Sequence, residues 1–154
     1  MMSAGLGRAL ITAAALSSIL IPVGVDGVLL ARMHMRNPRW LPHAKLHCAM
    51  SFFAAAALGE GALAVLWVAS PADTGAMALA AFLATAFWAG LIAAGFWPGA
   101  SYGFEGDPGF TAKPPVLLGI QLDLNVVVAS TAVLAGWIGF VLLWAERHGN
   151  IVQG

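Results

Sequence analysis

The chain has 154 residues, with seven basic and seven acidic side chains, 60% hydrophobic residues and only 9% charged ones. This balance excludes the broad basic field that nucleic acid requires, so no nucleic-acid partner is expected, and it leaves too little charge to cover a water-facing globule, about a quarter of which is ordinarily charged. A single cysteine, Cys48, excludes an internal disulfide and any CxxC motif, and reads as a small helix-packing residue.

Mean hydropathy is +0.86, and the outer solvent of such a chain is expected to be lipid. Crossing a bilayer as a helix takes about 20 apolar residues. Four runs meet that length: about 9–30, 46–68, 75–96 and 122–144. Their alanine-rich composition favours helices over the short alternating strands of a barrel, and backbone groups in lipid must pair within their own segment. The expected fold is all-α, an integral membrane four-helix bundle formed as one domain over residues 1–154. The first run follows Arg8 and could pass for a secretory leader. It is too long for a typical leader core and no A-x-A site follows it, so it is expected to remain as a span.

Between spans two and three, "SPADTG" makes a tight turn in which Asp73 or Thr74 can cap the next helix. In span two, "AAAALGEGALA" offers small residues for close helix contact. Trp40, Trp97 and Trp144 fall near the expected interfaces, where amphipathic rings are favoured; Trp67 and Trp88 read as packing residues. The connection "WPGASYGFEGDPGFTAKPP" is dense in Gly and Pro, and long loops of this kind are often functional. The tail "ERHGNIVQG" is short and polar, and His148 in it is expected to be solvated.

Four spans put both long connections on one side and both termini on the other. The loop side carries Arg32, Arg36, Arg39, Lys45 and Lys113; the terminal side carries Arg8 and Arg147. Cationic loops stay in the cytoplasm, so the expected location is the inner (plasma) membrane with both termini outside. Most other ionisable groups also gather on the loop side: Asp26 near the end of span one, His34 after it, His43 and His47 opening span two, Glu105 and Asp107 in the third connection, and Asp123 with Gln121 and Asn125 starting span four. Glu60 lies inside its span, about 20 Å along the helix from His47; with Gly59 and Gly61 beside it, it is expected to face the bundle interior.

The segment "NPRWLPHAKLHC", residues 37–48, concentrates this chemistry. Asn37 before Pro38 suits a turn, and Pro42 suits a first helical turn. His43 and His47, four apart, share one helix face about 6 Å apart, while Lys45 points elsewhere and can reach lipid phosphates. Three readings stay open. The histidines can cap the helix and bond phosphates or loop carbonyls. They can do acid–base chemistry or bind substrate, with Asp26 orienting a histidine. Or His34, His43 and His47, with Asp26, can hold a metal, although H-x-x-x-H without the Glu of H-E-x-x-H is a weak metal signal.

Asp26 to His47 resembles the signature of an uncharacterised group of small four-helix membrane proteins of bacteria and fungi. That signature has an Asp, then a His, then N-P-x-W-x-P-H-A-(K/R)-x-H, met here by Asp26, His34, Asn37, Pro38, Trp40, Pro42, His43, Ala44, Lys45 and His47. "WPG" at Trp97 to Gly99 and "DP" at Asp107 and Pro108 resemble its later loop. The resemblance implies a four-helix membrane fold and marks a site, without assigning a reaction or a cofactor.

The expected catalytic set is Asp26, His34, His43, His47 and Glu60; Asn37, Trp40, Lys45, Asp123 and Asn125 are expected to bind substrate. The expected partners are membrane lipid and a hydrophobic small molecule with one polar end. The alternative is a non-catalytic subunit or assembly factor, working as a homo-oligomer or in a larger membrane complex.

Overall fold

The computed structural model describes residues 2–102, 116–117, 120–121 and 123–152. Helix α1 spans Met2–Ile21 and continues as a π-helical segment over Pro22–Leu29; α2 spans Pro42–Val68, α3 Thr74–Ala94 and α4 Leu124–Val152. A two-residue pair, β1 Val116–Leu117 and β2 Ile120–Gln121, forms a small antiparallel hairpin before α4. All four helices are long and apolar enough to cross a membrane, as Gly5–Leu29, Pro42–Val68, Thr74–Ala94 and Leu124–Gly149. The protein is an all-α membrane bundle.

Helix α1 packs on α2 and α4, α3 packs on the same two, and α1 also meets α3. No comparable contact joins α2 to α4 among the described residues. The cross-section is therefore a rhombus with α1 and α3 on its short diagonal. Small residues permit this, because helices in lipid associate through van der Waals packing and backbone approach. Ala14, Ala15, Ala62, Ala80, Ala81 and Ala84 form the core with Ile11, Leu66 and Met77; Trp88, Ala129 and Ala132 form a second cluster. Gly59 seats against α1, where a Cβ would lie 2.6 Å from the Ala15 carbonyl oxygen. Gly7 and Gly139 meet where α1 crosses α4, each blocking a Cβ on the other. The small surface expected in span two is used as such: Ala55, Gly59 and Ala62 are its buried face.

Hydroxyls tie α1 to α3. The Ser18 hydroxyl donates to the Ala84 carbonyl at 3.1 Å, and the Trp88 indole N–H donates to Ser17 Oγ at 2.9 Å. Asp73 caps α3 by accepting from the Ala76 amide at 3.0 Å.

Several expectations change. Trp67 is 57% exposed, not packed, and carries Arg8 on its ring; Trp88 is buried as expected. The fourth span begins only after Asp123, and the polar tail does not end the helix at Trp144: α4 runs on through Val152. On that extension His148 Nδ1 donates to the Trp144 carbonyl at 2.8 Å, so His148 is exposed but bonded. Gln121, expected at the start of span four, lies instead in β2. Glu105, Asp107, Pro108 and Lys113 lie outside the described residues.

Candidate functional site

Pro22 lacks the N–H that would close the next α-turn. From there the chain widens into π-helical turns, with the Leu30 amide reaching five residues back to the Val25 carbonyl at 2.6 Å. Such insertions in helices are frequent at functional sites. This one carries Asp26 to the loop-side end of the span. Gly27, next to it, lies against the Phe52 ring of α2.

Asp26 meets His34: Oδ1 and Nε2 are 3.8 Å apart, with the histidine side chain 14% exposed and the aspartate 37%. His34 Nδ1 donates to the Leu30 carbonyl at 3.2 Å. A carbonyl only accepts, so Nδ1 carries the hydrogen and Nε2 is the nitrogen turned to the carboxylate. At 3.8 Å the two groups are within ion-pair range but not hydrogen-bonded. Trp40 packs edge-on against the His34 ring, with centroids 5.5 Å apart.

Asn37 holds the connection together. It is 6% exposed; its Nδ2 donates to the Met33 carbonyl at 3.1 Å and its Oδ1 accepts from the Arg39 amide at 2.9 Å. An Asn before Pro closes such a turn through its own side chain. The structure thus gives Asn37 a positioning role beneath Trp40 and His34.

His43 and His47 form a second pair. Their Nε2 atoms are 3.0 Å apart, one donating and one accepting, and both rings are exposed. The expected single His/Asp cluster is divided, because α2 buries the face that runs through Ala55, Gly59, Ala62 and Leu66. Traced back at helical spacing, that face reaches half-buried Phe52, Cys48 and Lys45, and it leaves His43 and His47 on the outside. Among the described residues no group of three or more His, Cys, Asp or Glu is placed to share a metal ion; the candidates His34, His43 and His47 fall into the two pairs. Replacing His43 or His47 with Ala is expected to change unfolding free energy in detergent by no more than about 0.5 kcal/mol, as for other exposed positions. A larger loss in a denaturant titration would mean that the pair braces the fold.

Glu60 is corrected: it is exposed on the outside of α2. Its neighbour Gly59 takes the inward position, and one residue turns a helix by about 100°. Asp123 precedes α4 as its cap, accepting from the Asn125 amide at 2.8 Å. The Asn125 side chain is exposed and donates to the Tyr102 carbonyl at 3.4 Å. Tyr102 in turn donates to the Ile92 carbonyl at 2.8 Å and lies over Gly95, closing the end of α3. Asp123 and Asn125 are thus both engaged in hydrogen bonds at the start of α4. Ser17, Ser18, Arg8 and Thr12 were not among the expected residues; the only signal for them was polarity inside an apolar span.

No family model, curated protein or solved structure matches this chain. Its fold and site define its class: a small all-α membrane protein of four apolar helices, with an Asp–His pair at the loop-side end of the first.

Proposed function

We propose that this membrane protein binds a hydrophobic small molecule with one polar end at the loop-side mouth of the bundle, where Asp26 and His34 exchange a proton with that end. The observation that carries the reading is the oriented pair: Nδ1 of His34 held by the Leu30 carbonyl, Nε2 facing Asp26, and the Trp40 edge fixing the ring. An acid–base pair needs this fixed tautomer and a protected position. The exposed cations Arg32, Arg36 and Arg39 near the mouth suit an acidic or phosphorylated polar end. The excess of Lys and Arg on this side supports placing it in the cytoplasm of a plasma membrane, with both termini outside.

The test compares small molecules that copurify with the wild-type protein, Asp26→Asn and His34→Gln, by mass spectrometry of the extracted protein. One amphiphile retained by the wild type and lost from both variants, at unchanged melting temperature, is the expected result. Equal retention by all three ends the reading.

Glu60 favours a second reading, a subunit of an assembly. A carboxylate on the outer face of a span is costly in lipid, and Ala57 and Ala64 beside it on the exposed face would let another helix approach. This reading expects the wild type to migrate as an assembly that Glu60→Leu reduces to single chains.

A further inference from the structure

On the terminal side of the bundle, opposite the Asp–His pair, a groove of about 600 Å³ runs along α1 to the end of α2. Gly5, Ala9 and Leu16 and the Trp67 ring make its wall apolar, and Arg8 and Thr12 interrupt it. The Arg8 guanidinium carbon lies 5.1 Å from the centre of the Trp67 ring. Trp67 is thus the outer lip of the groove, and the cation is held at its mouth.

Two buried polar atoms set this groove apart. Arg8 Nε and Thr12 Oγ1 are both closed off from solvent and have no hydrogen-bond partner among the described residues. A threonine inside a helix ordinarily turns its hydroxyl back to the carbonyl four residues earlier. Thr85 does so onto Ala81 at 2.8 Å, and Thr131 onto Val127 at 2.8 Å. Thr12 does not, although the same option exists in its own helix. Buried donors are nearly always paired, and in hydrocarbon no water stands in for the missing acceptor. An arginine adds positive charge to the same place. Pairing them takes a turn of both side chains toward the groove they line, where an anion with several acceptor oxygens, for which a guanidinium is well shaped, would meet both.

The rest of the groove states what the anion is attached to. Arg8, Thr12 and Leu16 follow one another four residues apart on one face of α1, so the apolar part extends about 12 Å inward from the cation. It opens to lipid along its length.

We propose that this groove is a binding site for one anionic phospholipid, its phosphate held by Arg8 and Thr12 and one acyl chain lying past Ala9 and Leu16. The site is separate from the Asp26–His34 pair and stands or falls without it.

The test places the whole protein in nanodiscs of phosphatidylcholine with a minor fraction of phosphatidylglycerol, and reads the lipids retained on the released protein by native mass spectrometry. The expected result is one retained phosphatidylglycerol per chain, enriched about tenfold over its bulk share by the charge-assisted contact. Arg8→Gln should abolish that enrichment and Thr12→Val should weaken it. Gly5→Leu, whose added side chain starts in open space, should displace the lipid by filling the groove while Arg8 stays in place. Should Arg8→Gln fail to fold, Thr12→Val and Gly5→Leu carry the test. No enrichment in the wild type, or enrichment unchanged in Gly5→Leu, overturns the proposal. So does retention of inorganic phosphate with no phospholipid, which would show an anion site without an acyl groove, or a second copy of the chain retained in place of lipid.

Discussion

Gly139→Leu is expected to be the most damaging single substitution in the bundle, costing about 3 kcal/mol or more of folding stability. A Cβ at Gly139 would lie 2.6 Å from the Gly7 carbonyl oxygen, 2.9 Å from Ile11 Cγ1 and 3.2 Å from the Ile11 amide nitrogen. Two of these three are backbone atoms, which cannot rotate away. The clash is relieved only by separating α1 from α4, and that opens the core around Ile11 and Leu143. Gly59→Leu should behave alike, since its first contact is the Ala15 carbonyl oxygen. Gly90→Leu is the control. Nothing lies within 4 Å of its added carbon, and exchanging a helical glycine for leucine should be neutral or gain a few tenths of a kcal/mol. Unfolding in mixed detergent micelles, followed by circular dichroism, checks all three. If Gly139→Leu unfolds together with Gly90→Leu, the helices do not cross as closely as described.

Asn37→Ala is expected to cost about 2 kcal/mol, from two buried hydrogen bonds lost at roughly 1 kcal/mol each. Its side chain bonds the Met33 carbonyl and the Arg39 amide, and no alanine atom can take either place. The effect should reach the candidate site, because the turn that Asn37 closes sets Trp40 against His34. Asn37→Asp discriminates between the two bonds: it keeps an acceptor for the Arg39 amide and loses the donor to Met33. Hydrogen exchange at the Arg39 amide should therefore quicken strongly in the alanine variant and little in the aspartate variant. Equal exchange in both would show that the turn is held by something other than this side chain.

Much of this was legible in the chain itself. The number of spans and their approximate limits follow from hydropathy, because the thickness of the hydrocarbon layer sets the length of any helix that crosses it. The Ala/Gly contact surface of α2 and the Asp73 cap were also legible, since both rest on residues next to one another in sequence. The nearness of Asp26 to His34 was half legible: both were placed at the loop-side end, but their pairing depends on the π-helical turns that begin at Pro22.

What composition and spacing left open was the rotation of each helix about its own axis. Helix α2 is apolar on every side, so no stripe in it marks an inner face. Glu60 could only be assigned by its glycine neighbours, and it is one of those neighbours, Gly59, that took the interior. The same rotation put His43 and His47 outside, away from the pair they were expected to join, and turned Trp67 outward onto Arg8. In lipid the driving force for choosing a face is not apolarity, which every face offers, but how closely two backbones can approach. That depends on which small residues of one helix meet which of another, and the chain alone does not state it.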